Sequence, residues 1–172
     1  MNAWRLPSIS RFMRAARTLA FAGLLLLPSY PLLAADGPFA ALPGTWSGTG
    51  TILLSSGAKE RIRCRATHRL GASSTDLRLE LSCQSDSYKF ELQSQIASQD
   101  GTISGNWAET TRSVGGRIEG RATGNTIQVR AEGQTFSAIL AVTTRGDKQS
   151  ISIQSPGSEM SDITITLTRG SR

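Results

Sequence analysis

Two cysteines, Cys64 and Cys83, and one histidine, His68, are the only residues through which the chain can do thiol or imidazole chemistry. Eighteen residues lie between the cysteines, far from the Cys-x-x-Cys spacing that lowers a thiol pKa. Two thiols also fall short of the four ligands of a structural zinc site, so no metal is expected. A single structural disulfide is the expected state in an oxidising compartment. A hydrolase built on histidine would have to use His68. No Gly-x-Ser-x-Gly nucleophile motif accompanies it, and its neighbours Ala66 and Leu70 suit a hydrogen-bonded core residue. Among the carboxylates, Glu80 and Glu91 read as outward, Glu109 shares the parity of Trp107, and Asp100 and Asp147 fall in turns. No catalytic residue is nominated, and the chain reads as a non-enzyme without cofactor.

Arg61, Arg63 and Arg65, with Arg69 and Arg78 beyond, make a basic stripe on alternate positions. Such a stripe suits anionic lipid, lipopolysaccharide or polysaccharide, or is simply a solvated face partly neutralised by Asp86 and Glu80. No aromatic residues interleave it, so nucleic acid is not an expected partner.

The net charge of +6 reflects the first thirty-five residues, where Arg5, Arg11, Arg14 and Arg17 precede an apolar run from Leu19 to Leu27. This layout predicts a signal peptide over 1–35, cleaved after Ala34 or Ala35, and hence a periplasmic or secreted protein. The run is too short to cross a bilayer, and no transmembrane segment is expected after cleavage. Removing four arginines from 19 basic residues leaves 15 against 13 acidic ones, a charge of +2. Residues 36–43 then form an N-terminal extension, and 44–172 one domain, expected as a monomer.

The histidine, cysteines and arginines must be carried by strands, because the chain alternates in short segments rich in Ile, Val and Thr with Gly, Asp and Ser between them. Ten are predicted, near 45–54, 59–69, 76–84, 87–96, 102–109, 114–121, 126–131, 135–143, 148–154 and 162–168. Short links make successive strands antiparallel neighbours. The expected fold is therefore all-β, an antiparallel up-and-down meander that closes into a barrel or forms a strongly curved sheet. One register predicts itself: Cys64 facing Cys83 also sets Ala66 against Leu81, His68 against Leu79 and Leu70 against Leu77, all on one face. Tyr88, Phe90 and Leu92 then continue that face opposite Cys83, Leu81 and Leu79 if the turn spans 84–87.

The run Gly44-Thr45-Trp46-Ser47-Gly48-Thr49-Gly50 puts Trp46 and two glycines on one face, and Gly105 with Trp107 repeats the pattern. Inward glycines mark either a cavity or the corners of a closed sheet, and corners are favoured because every small barrel needs them. Gly44-x-Trp46 resembles the opening strand of lipocalins and their calycin relatives, and Gly44-x-Trp46-x-Gly48-x-Gly50 is similar to that of nitrobindin-type haem barrels; avidins also begin this way. The mature chain as a whole resembles small secreted alphaproteobacterial proteins of unknown function. The barrel resemblance implies that Trp46 plugs one end, that the other end accepts a small apolar ligand, and that an arginine such as Arg169 packs on the indole. Haem ligation does not carry over, since the histidine of the nitrobindin type comes late in the chain and none follows His68.

The reading is a β-barrel that binds a small hydrophobic or amphipathic molecule or an envelope component, with Trp46, Tyr88, Phe90, Trp107 and Phe136 as its lining. One alternative is a protein-interaction module such as a periplasmic protease inhibitor, acting through a protruding segment at 36–43. Small exported barrels of the bacterial metalloprotease-inhibitor type use a comparable trunk, though their cysteine placement is not reproduced here. Another is an envelope-integrity factor whose basic stripe meets anionic glycolipid.

Overall fold

Alternating side chains fold as strands here because every second one has an interior to enter. In the computed structural model, which describes residues 37–134 and 137–171, ten strands follow one another. They are β1 (Gly44–Leu54), β2 (Lys59–Leu70), β3 (Asp76–Gln84), β4 (Lys89–Gln99) and β5 (Thr102–Glu109), then β6 (Val114–Thr123), β7 (Thr126–Gly133), β8 (Ser137–Arg145), β9 (Lys148–Gln154) and β10 (Met160–Arg169). Each pairs antiparallel with the next, and β10 pairs with β1, so the meander closes into a barrel without free edges. The predicted leader over 1–35, with Asp36 and Phe136, lies outside the described residues.

The β2–β3 register is the expected one, and the disulfide joins Cys64 to Cys83 across it. Ile62, Cys64, Ala66 and His68 point inward, whereas Leu70, at the strand end, stays exposed. The next register differs from expectation by two residues, since Phe90 lies opposite Cys83 and Leu92 opposite Leu81. The cause is the turn: the Ser85 N–H donates to the Tyr88 carbonyl at 2.8 Å, and Ser85 Oγ accepts from the Tyr88 N–H at 2.9 Å. Tyr88 therefore closes a turn instead of opening a strand, and a shift of two leaves the inward face intact. The same ladder ends at Arg63 opposite Gln84, so the expected facing of Arg61 and Asp86 does not form.

The inward glycines are corners. A Cβ at Gly48 would lie 1.9 Å from the Thr166 carbonyl oxygen, and one at Gly105 would lie 2.1 Å from that of Gln95. Neighbouring backbone already fills the space, so these glycines permit sharp strand coiling and leave no void beside themselves.

The extension is a cap and not a protruding trunk. Phe39 and Leu42 are buried, packed with Leu77, Ile103 and Ile127 across one end of the barrel. A segment carrying two large apolar side chains beside an open barrel end lowers its free energy by covering that end. The interaction-module reading thereby loses its protruding segment.

Candidate ligand cavity

The two barrel ends differ in construction. At the capped end, Trp46 is fully buried, and its indole N–H donates to the Leu42 carbonyl at 2.9 Å. The Arg169 guanidinium lies 4.1 Å over the ring, and the His68 ring meets it edge-on with centroids 6.1 Å apart. Arg169 also donates to the carbonyls of Pro43 and Ala41 and pairs with Asp147 at 3.1 Å, tying the cap to the last strand. Trp46 is enclosed by these contacts and stands apart from the cavity at the open end.

His68 belongs to the same layer. It is buried, with Nε2 3.3 Å from Gln149 Oε1, while Gln149 Nε2 donates to Thr144 Oγ1 at 3.2 Å. Because the amide nitrogen is committed to Thr144, Gln149 offers its oxygen, and Nε2 is the protonated nitrogen of a neutral ring. Nδ1 has no partner. Burial pushes the His68 pKa down to about 4, with the Arg169 charge adding to the effect against the Gln149 bond.

The opposite end is open. Here a cavity of about 530 Å³ is walled by inward residues of β4 through β10, among them Phe90, Trp107, Ile118, Ala138, Leu140 and Ile163. Ala131 and Ala138 face each other across β7 and β8, and their small side chains leave the room that larger ones would fill. The cavity is off-centre, because Ile52, Ile62 and the disulfide fill the interior along β1 to β3. A wider depression of about 710 Å³ lies outside the cap, but its one large side chain is Arg169, already engaged.

Of the expected lining, Phe90 and Trp107 meet in this cavity, Trp46 is at the other end, and Tyr88 stands at the rim. The Tyr88 hydroxyl donates to Glu159 at 2.8 Å, joining two rim loops, and this bond pushes the phenol pKa up. The alanines and Leu140, Met160 and Ile163 were missed, since nothing in the sequence distinguishes a cavity wall from packed core at an inward strand position.

Rim polar groups are largely engaged with one another. Glu109 is buried and accepts from the N–H groups of Glu91, Thr111 and Arg112, at 2.9, 3.1 and 2.9 Å. Burial favours its neutral form, but these bonds and the Thr111 hydroxyl outweigh that and hold the carboxyl below its ordinary pKa. Glu109 therefore anchors the β5–β6 turn, in which Ser113 has φ 54°. Ser155 likewise donates to the Ser137 carbonyl at 2.9 Å. The histidine-ligated haem of the nitrobindin type does not fit this donor set: the one histidine lies in the capped end, and the cavity walls offer no imidazole or thiolate.

Arg61, Arg63 and Arg65 stand outward on β2, exposed, with no carboxylate in ion-pair range among the described residues. Glu80 pairs with Arg69, the next arginine of the stripe, at 3.3 Å. No helix among the described residues is long and apolar enough to cross a membrane.

No family model matches the chain, and no curated protein matches it by sequence. Its fold is similar to those of several solved structures. The crystal structure of Rv2717c from M. tuberculosis aligns with a TM-score of 0.63 at 14% identity, covering 77% of this chain and 95% of that one. The S-type phycobiliprotein lyase CPES from Guillardia theta aligns with a TM-score of 0.54 at 12% identity, covering 78% and 91%.

Proposed function

We propose that the protein is an exported, periplasmic binding protein that holds one small apolar or amphipathic molecule in the open-end cavity, without catalysis. The observation that carries this reading is the asymmetry of the barrel: one end is sealed by Phe39, Leu42 and Trp46, while the other keeps about 530 Å³ of apolar-walled space. That volume lies in the range of small-molecule sites. The rim hydrogen bonds are satisfied internally, so recognition rests on shape and apolar burial more than on charge. What supports export is the leader-like layout of 1–35 together with a disulfide, which persists outside reducing compartments. What supports a non-catalytic role is that His68 stands apart from the cavity and Glu109 is committed to its turn. From the phycobiliprotein lyase the reading takes only the barrel.

The test is native mass spectrometry of the protein recovered from its own cell envelope, paired with titration of an apolar fluorescent probe, 1-anilinonaphthalene-8-sulfonate. Ala138→Phe, which places a ring in the cavity, is expected to weaken probe binding at least tenfold and to lose any co-purified mass. Equal binding by Ala138→Phe and the wild-type chain would remove the cavity as the site.

A further inference from the structure

The outer surface is as uneven as the interior. Across β2, β1, β10, β9 and β8 one outward row runs Arg63, Thr49, Thr166, Ser150, Thr143. The row on one side of it starts at Arg61 and continues through Thr51 and Thr164; the row on the other starts at Arg65 and ends at Lys148 and Arg145. These three rows hold five cations, many hydroxyls and no carboxylate. Across the barrel the pattern reverses, with Arg117 directly opposite Glu132 and Glu119 directly opposite Arg130. On the three-row face no carboxylate stands in register with the five cations.

Two further observations narrow the partner. The exposed large apolar residues, Leu70, Val114 and Ile139, all lie outside the three rows, so the face has nothing to insert into lipid. A shallow groove of about 550 Å³ crosses it between Arg61, Thr49, Thr51, Thr164 and Thr166. Glu60 borders this groove with one carboxylate oxygen turned to the Ser87 N–H at 2.9 Å. Guanidinium forks suit carboxylate or sulfate oxygens, and threonine hydroxyls both donate and accept, as sugar hydroxyls require. Outward side chains recur at roughly 6.8 Å along a strand, so a chain-like ligand meets repeated contacts. We infer that this face binds a linear anionic polysaccharide, its acid groups on the Arg61, Arg63 and Arg65 column and its hydroxyls on the threonine rows.

The experiment measures binding of the protein to fluorescein-labelled polygalacturonate and dextran sulfate, with neutral dextran and phosphatidylglycerol-containing vesicles alongside. Three variants are compared: Arg61→Gln/Arg63→Gln/Arg65→Gln, the control Arg117→Gln/Arg121→Gln/Arg130→Gln, and the charge-neutral Thr49→Val/Thr166→Val. The first is expected to weaken both polyanions at least tenfold and the control no more than twofold. The valine pair should weaken polygalacturonate at least threefold with its salt dependence unchanged. Binding should fade as salt rises and the Debye length falls from about 10 Å toward 3 Å. Equal losses in the two arginine triples, an unchanged valine pair, tighter binding to vesicles than to polysaccharide, or no polyanion binding would each overturn the inference.

Discussion

His68 is neutral in the fold because its surroundings offer a proton no compensation, and that makes it the residue through which acidity reaches the core. Its folded pKa of about 4 lies below the 6.5 of the free side chain. The unfolded chain therefore binds more protons between these values, and stability is complete above about pH 6.5 and falls as the pH drops toward 4. The slope approaches about 1.4 kcal/mol per pH unit, for a total on the order of 3 kcal/mol. Glu60, Glu91 and Glu109 have lowered pKa values, so their contribution is complete above the ordinary carboxylate range and is lost as the pH falls through that range and below it. Urea unfolding between pH 7 and 4.5 separates the two groups. His68→Phe is expected to flatten the curve in that window while lowering stability overall, because Gln149 Oε1 loses its donor. Parallel curves for the two proteins would show that the proton goes elsewhere.

The elements were largely legible because alternation and turn chemistry agree along this chain. Gly57, Gly101, Gly124, Gly146 and Gly157 all take positive φ between strands, where such a backbone favours glycine. The β2–β3 register was legible too, since pairing Cys64 with Cys83 also matched the apolar alternation. The β3–β4 register was not, because whether Tyr88 opens a strand or closes a turn depends on the hydrogen bonds of Ser85. The site was legible only as inward parity: Phe90 and Trp107 were found, but the void beside them is set by Ala131 and Ala138, unremarkable in sequence. Gly48 and Gly57 test the corner argument against the turn argument. Gly48→Ala forces a methyl against the Thr166 carbonyl within the closing β1–β10 ladder, and is expected to cost about 3 kcal/mol, the upper range for overpacking. Gly57→Ala meets nothing within 4 Å and bears only backbone strain at φ 86°, for about 1 kcal/mol. Thermal unfolding ranks them, and equal costs would mean that φ alone, and not the close approach of β10, dictates these glycines.

At the scale of the whole molecule, the barrel separates what holds it together from what it can hold. The cap and the cavity share one packed interior, in which Phe39 and Leu42 meet Ile103, Ile127 and Val129, and the same cluster continues to Trp107, Ile118 and Ala131. Yet the working parts lie far apart: Thr144, beside the cap, and Ala138, in the cavity wall, are six residues apart on β8, about 20 Å. Sites so separated, with a close-packed layer between them, are expected to act independently. Phe39→Ala empties a fully buried position and should cost about 3 to 5 kcal/mol of stability, while changing probe affinity at the open end less than twofold. Ala138→Phe should do the reverse, abolishing probe binding with little effect on the unfolding midpoint. In the double variant the two stability changes should add to within about 0.5 kcal/mol. A larger coupling, or a probe affinity that falls with Phe39→Ala, would show that the cap shapes the cavity floor through the Ile103 and Val129 layer, so that the barrel works as one coupled unit in place of two independent ends.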